Sequence, residues 1–285
     1  MAFFIYIAMF RIPLHTLCPS FICLVLLCSC NYTSKQETVI LEIELDQMEW
    51  IDLTHSFDST TLYWPNNPTE FEHEADAYGT TEQGYFYSSY SLSTPEHGGT
   101  HLDAPIHFSE GKLTSDEIPL NSLIGKASLI DVSEKALGDR DYLISADDIL
   151  NWEKVNGELE EGRIILFKTG YGQFYPDREA YFGTAKKGDA AIPELHFPGI
   201  SPEAAELLVE RKAKAVGLDT PSLDYGQSKD FKTHQILMGA NIPGFENVAN
   251  LDLLSTKDFY ILALPMKIKG GSGGPLRIVA AVSPK

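Results

Sequence analysis

Between Ala127 and Leu218 the chain alternates between strand-like and helix-like stretches, and that rhythm leaves few architectures open. Ala127 to Val132 is an apolar run of strand length. Arg163 to Lys168 (RIILFK) is a second, of the kind buried on both faces of a sheet. Between them Ser145 to Val155 reads as a helix, with Ser145 and Asp148 in capping-box positions. Ser201-Pro202 opens another helix that runs through Arg211, with serine as cap and proline in the first turn. Ala215 to Leu218 is a further short strand. Strands and helices in this order imply a single mixed α/β domain. A chain of 285 residues is long enough for such a domain to bury a substantial core.

Chemistry concentrates upstream, between Glu96 and Phe108 (EHGGTHLDAPIHF). Three of the eight histidines (His97, His101, His107) and one carboxylate (Asp103) share this segment with two glycines and a proline. The spacing of four between His97 and His101 would suit one face of a helix, as in H-E-x-x-H zinc proteases. Gly98 and Gly99 disfavour a helix, the glutamate of that motif is missing, and Pro105 biases Ala104 away from helical angles. An extended backbone fits better: His101 and Asp103 then point to the same side, and the glycines let the chain turn so that His97 meets them. Two imidazoles and a carboxylate form a three-ligand metal site with open positions, and His107 follows closely enough to act on what the metal binds. A lone histidine is more often structural than ligating, but burying this whole cluster without a cation would leave several polar groups to satisfy.

The first thirty residues stand apart. They hold all four cysteines (Cys18, Cys23, Cys28, Cys30) and a single charged residue, Arg11, around an apolar run from Phe21 to Leu27. Residues 1–30 therefore read as an export signal, too short and too interrupted by Pro13 and Pro19 for a comfortable membrane span. Leu27-Cys28-Ser29-Cys30 resembles a bacterial lipobox, which would make Cys30 a lipid anchor and place the protein in the periplasm or cell envelope. The alternative is an ordinary secretory signal, with Asn31-Tyr32-Thr33 as a glycosylation sequon in a eukaryotic source. Met9 before Arg11 is a competing start. Residues 31–47 read as a polar tether and residues 48–285 as the functional domain, which lacks cysteines and hence disulfides. The formal net charge of -18 argues against a nucleic-acid partner.

Within the domain, Trp50 to Thr54 reads as a first strand and Gly84 to Thr94 as one leading into the histidine segment. Trp64, held in a Trp-Pro-Asn-Asn-Pro loop, is by its type a core residue or a pocket wall. The stretch holding Tyr171, Phe174, Tyr175 and Tyr181 is long enough for a lid or a subunit contact. His234 is expected near the start of a short helix ended by Gly239, with Glu246 after a Pro-Gly turn. Their spacing alone carries no function. The glycine-rich stretch from Gly270 to Gly274 lacks the P-loop pattern and reads as a tight turn.

The segment HGGTHLDAPIHF resembles the H-x-G-T-H-x-D-x-P-x-H-F signature of the putative cyclase family, which includes bacterial kynurenine formamidases and isatin hydrolases. The resemblance runs from about Trp50 to Val282 and takes in the Trp64 loop, the His234 to Glu246 stretch and Lys269 to Gly273. It implies a mixed α/β fold with a barrel-like β core of the swivelling β/β/α type, and a homodimer or higher homo-oligomer. It implies that His97, His101 and Asp103 bind one metal, and that Asp103, His234 and Glu246 bind a second, with Glu246 able to touch both. It further implies His107 as the catalytic histidine and Trp64 as a substrate contact. Asn66-Asn67 departs from the Gly-Asp that usually follows in formamidases, which weighs against their substrate without removing it.

The implied activity is hydrolysis of an amide C–N bond in a small aromatic or cyclic substrate, either an isatin-like lactam or an N-formylkynurenine-like arylformamide. One or two divalent ions, Zn2+ or Mn2+, would activate water, with His107 as acid and base. Two alternatives compete: a non-catalytic, metal-stabilised surface binding protein, and a cyclase or dehydratase acting on a polyketide-like acid. Neither a nucleophilic serine elbow nor a dinucleotide fingerprint is present.

Overall fold

The apolar runs expected as buried strands lie side by side in one sheet. The computed structural model describes residues 45–283. The export signal, Cys30 and most of the tether lie outside the described residues. Strands in the first half are β1 (Glu49–Asp52), β2 (Glu72–Thr80), β3 (Phe86–Ser93), β4 (His101–Asp103), β5 (Ile124–Asp131) and β6 (Leu143–Ile144). They are followed by β7 (Ile164–Lys168), β8 (Gly199–Ile200), β9 (Ala215–Leu218), β10 (Gly244–Glu246), β11 (Lys257–Pro265) and β12 (Gly273–Val282). The helices are α1 (Leu120–Leu123), α2 (Ser133–Gly138), α3 (Ala146–Asn156), α4 (Arg178–Phe182), α5 (Pro202–Glu210) and α6 (Lys232–Gly239). None of them is long and apolar enough to cross a membrane.

Strands β5, β7, β9 and β10 pair in parallel, β11 and β12 return antiparallel, and β12 pairs with β4. Because β4 also pairs with β10, seven strands close into a mixed barrel, while β1 lies farther along the β12 edge. Closure leaves no open edge in that ring. The fold class is the α/β barrel core expected of the sequence.

Period-two alternation divides the apolar residues between two cores. Ile164 and Leu166 of β7 join Leu102, Phe245, Ile261 and Ile278 in one cluster. Ile165 and Phe167 join Ala204 and Leu208 of α5 and Leu237 and Met238 of α6 in the other. This is why RIILFK has no polar position between its ends: both of its faces are covered. Ser145 caps α3 with a complete capping box and Ser201 caps α5, as their sequences require.

Three features differ from the sequence reading. The Gly84–Thr94 stretch is a strand, β3, but it pairs only with β2 in a separate hairpin, which the polar sequence of β2 had concealed. The tyrosine-rich stretch is not free to act as a lid: Tyr171 and Tyr181 are fully buried with Leu62, Phe182, Leu195 and Phe197 in an aromatic cluster. The two long C-terminal strands β11 and β12 are not among the strands expected from the sequence, although they supply two staves of the barrel.

Candidate metal centre

The barrel register assembles the site. In β4, Leu102 points into the core, so His101 and Asp103 point the other way. In β10, Phe245 is likewise inward and Glu246 outward, and Glu246 lies directly across from His101. Opposite Asp103 stand Gly244 on one side and Gly273 on the other, so no side chain crowds the carboxylate in the sheet. Just upstream, Gly99 takes a φ of 54° that turns the chain into β4 and leaves His97 beside it. Pro105–His107 is a single 3-10 turn that presents His107, whose ring stacks on His97 at 3.8 Å. His234 enters from the first turn of α6.

All six polar residues named from the sequence therefore converge. His97 Nδ1 lies 2.7 Å from Asp103 Oδ1, and His101 Nε2 lies 3.2 Å from the same oxygen and 3.4 Å from Glu246 Oε2. His234 Nε2 is 3.2 Å from Asp103 Oδ2 and 3.2 Å from Glu246 Oε1. His97, Asp103 and His107 can offer three donor atoms within 4.8 Å of one another, and so can His101, Asp103 and Glu246. The first of these groupings includes His107, which the sequence reading kept apart from the ligands. Trp64 lines the same cavity, and its ring meets Phe197 and Phe231 edge-on.

Hydrogen bonding around the cluster shows what it is built to hold. His101 Nδ1 must carry a hydrogen, because its partner at 3.0 Å is the Gly99 carbonyl, which can only accept. His234 Nδ1 is held the same way by the Asp224 carboxylate at 2.6 Å. Both imidazoles consequently turn Nε2 toward Asp103 and Glu246, which are themselves acceptors and fully buried. Two carboxylates buried this closely require compensating positive charge. In the absence of a cation only protons can provide it. Burial opposes a charge on His101, yet Asp103 and Glu246 outweigh it and raise its pKa to about 9. The pKa of His234 is raised well above its ordinary value against the same burial, by Asp103, Asp224 and Glu246. Asp103 is driven down, its burial overcome by His101 and His97, whereas burial and the Asp103 charge raise Glu246. A divalent cation would satisfy the same lone pairs, and the all-nitrogen-and-oxygen donor set fits one. His107 differs: burial dominates and lowers its pKa to about 4, leaving a neutral imidazole at neutral pH.

Several supporting residues gave no signal in the sequence. Asp224 accepts the backbone N–H groups of Thr233 and His234 as well as the His234 ring, so it both starts α6 and aims its histidine. Asn247 donates to the Gly99 carbonyl at 2.6 Å and accepts from Tyr181 at 2.7 Å, fixing the carbonyl that holds His101. Phe231, at a φ of 49°, packs on Phe108 with ring centroids 5.3 Å apart, and both line the pocket. The cavity above the cluster measures about 350 Å3 and is walled by Leu62, Trp64, Phe108, Phe182, Pro221 and Phe231.

A closed barrel with a histidine and carboxylate centre at the floor of an aromatic pocket defines a metal-binding α/β barrel protein. The chain belongs to the putative cyclase family, whose model matches residues 51–225. His234 and Glu246 lie beyond that matched stretch. It is 32% identical over 225 residues to an isatin hydrolase of Roseibium aggregatum, covering 76% of this chain and 82% of that one. It is 30% identical over 237 residues to a kynurenine formamidase of Salinibacter ruber, covering 83% and 99%. Among solved structures, an isatin hydrolase bound to the product analogue thioisatinate superposes with a TM-score of 0.75 at 29% identity, covering 84% of this chain and 94% of that one.

Proposed function

We propose that the protein is a metal-dependent hydrolase that opens the C–N bond of a small, uncharged aromatic amide, with a cyclic isatin-like lactam as the preferred substrate. The observation that carries this reading is a buried set of imidazole nitrogens turned onto two carboxylates at the floor of an apolar cavity. The relatives named isatin hydrolase and kynurenine formamidase support the reaction class. The pocket wall supports the choice between them. Among the described residues lining it there is no lysine or arginine, so no permanently cationic side chain there pairs with the α-carboxylate of an N-formylkynurenine-like substrate, whereas a flat neutral ring suits Trp64, Phe108 and Phe231.

His97, His101, Asp103, His234 and Glu246 would hold one or two Zn2+ or Mn2+ ions. Such an ion supplies a Lewis acid for the carbonyl and lowers the pKa of water toward neutrality. The chain's own residues do the rest. His107, neutral at neutral pH, takes a proton from the attacking water and returns it to the leaving nitrogen, a role worth about 10²–10⁴-fold. Trp64 and Phe231 orient the ring and exclude water. Asp224 and Asn247 keep two imidazoles aimed.

We further propose a homo-oligomer, supported by the hairpin: its register puts Tyr78, Phe86, Tyr90 and Leu92 on one face, all exposed. Export with lipidation at Cys30 is proposed from the sequence alone; mass spectrometry of the mature N-terminus tests it. For the activity, protein stripped of metal and then given zinc or manganese should regain hydrolysis of isatin in preference to N-formylkynurenine, with one oxygen of the product drawn from labelled water. Bound metal without turnover of either would favour the binding-protein reading, and product without label would favour the cyclase.

A further inference from the structure

The glycine-rich turn ahead of β12 has no role in the reaction just described, yet its serine sits between two residues of the histidine segment. Ser272 Oγ donates to Glu96 Oε2 at 2.7 Å, and the backbone N–H groups of Ser272 and Gly273 donate to that oxygen at 2.8 and 3.2 Å. On its other side the Ser272 hydroxyl lies 2.8 Å from His97 Nε2. A hydroxyl has one hydrogen to give, and a carboxylate oxygen can only accept. With that hydrogen committed to Glu96, the hydroxyl must accept from His97, so Nε2 must carry a hydrogen. The second ring nitrogen, Nδ1, faces Asp103, which also only accepts, so the two nitrogens are told apart only when a cation takes the place of hydrogen on Nδ1.

We infer that Glu96 and Ser272 are positioning residues that fix the ring proton of His97 on Nε2 and thereby assign Nδ1 to the cation site. The inference rests on the metal reading above. It completes a pattern: the Gly99 carbonyl and Asp224 hold Nδ1–H of His101 and His234, and the Ser272–Glu96 pair holds the opposite nitrogen of His97. The inversion follows from the backbone, because His97 approaches Asp103 from the loop before β4 while His101 extends from the strand itself. Gly273 makes the arrangement sterically possible. A Cβ there would stand 2.6 Å from His97 Cε1 and 2.5 Å from the Leu102 carbonyl oxygen. The turn is held in place by Ala104, whose N–H donates to the Ser272 carbonyl at 2.8 Å.

Removing such an outer partner typically costs about 10–100-fold in metal affinity. The test uses the purified protein labelled with 15N at histidine, as wild type, Glu96→Ala and Ser272→Thr. Nitrogen spectra are recorded with zinc bound, and zinc affinity is measured by competition with a chelator. The wild type should show His97 with a hydrogen on Nε2 and with Nδ1 on zinc. In Glu96→Ala the Ser272 hydroxyl is free to donate and no longer holds a hydrogen on Nε2, so the single Nε2–H assignment should be lost and zinc affinity should fall about 10–100-fold. Ser272→Thr retains the hydroxyl and should keep both properties. Unchanged His101 and His234 resonances report an intact fold, and a merely structural Glu96 would not move the proton. A bare Nε2 in the wild type, or the same protonated nitrogen in Glu96→Ala, overturns the inference. Failure of the wild type to take up zinc would refute the metal reading itself, whereas zinc bound through Nε2 of His97 would overturn only this inference.

Discussion

His101 and Glu246 face each other directly across the antiparallel β4–β10 pairing, with His101 Nε2 3.4 Å from Glu246 Oε2. Residues 145 positions apart in the chain thus share one face because Leu102 and Phe245, their neighbours, are both drawn into the barrel core. A slip of one residue in either strand would expose an apolar side chain and bury a charged one, so the core itself enforces the site's register.

Glu246→Gln keeps the shape of that side chain and removes its charge. Metal affinity, measured by chelator competition, should fall by about tenfold or more, with the circular dichroism spectrum unchanged. Undiminished affinity would take Glu246 out of the ligand set.

Metal uptake should release protons. In the metal-free site the pKa of His101 is raised to about 9, so it carries an extra proton at pH 7.5 that a cation must displace, and that of His234 is raised in the same direction. Calorimetry in buffers of differing ionisation enthalpy should find about one to two protons released per site filled. Binding that exchanges no protons contradicts the charge balance drawn here.

His107→Ala separates catalysis from binding. Metal content should stay at the wild-type level while turnover drops about 10²–10⁴-fold. Loss of metal along with activity would instead place His107 among the ligands, beside His97 and Asp103.

His55 should set part of the acid limb of stability. Its ring stacks on Tyr175 at 3.8 Å, its buried Nε2 has no hydrogen-bond partner, and burial lowers its pKa from 6.5 to about 4. Between those values the unfolded chain binds a proton that the folded chain refuses. Stability is therefore full above about pH 6.5 and declines as pH falls toward about 4, by on the order of 3 kcal/mol. His55→Phe retains the stack without the titration and should flatten the unfolding midpoint over that window. An equally steep decline in the variant would assign the effect elsewhere.

The hairpin face offers a test of assembly. Replacing Tyr78 and Phe86 together by glutamate should shift sedimentation toward the monomer, because like charges would then face each other across the contact. An unchanged sedimentation coefficient would move the contact to another surface.

What the sequence determined by itself was local. The helix caps Ser145 and Ser201, the buried strand of RIILFK, the extended backbone of His101 to Asp103 and the clustering of His97, His101, Asp103 and His107 were legible, because each depends on neighbours within a few positions. The pairing of the two halves of the centre rested on family resemblance, since the gap between Asp103 and His234 has no periodicity to reveal contact. Tertiary structure alone decided the rest. Barrel closure through β12 and β4 placed glycines on both sides of Asp103 and brought Ser272 to His97 across 175 positions. Asp224, Asn247 and Ser272 were invisible for the same reason: each acts through hydrogen bonds to a ring or carbonyl outside its own stretch of chain, and a hydrogen bond leaves no trace in sequence until the fold brings its two ends to about 3 Å.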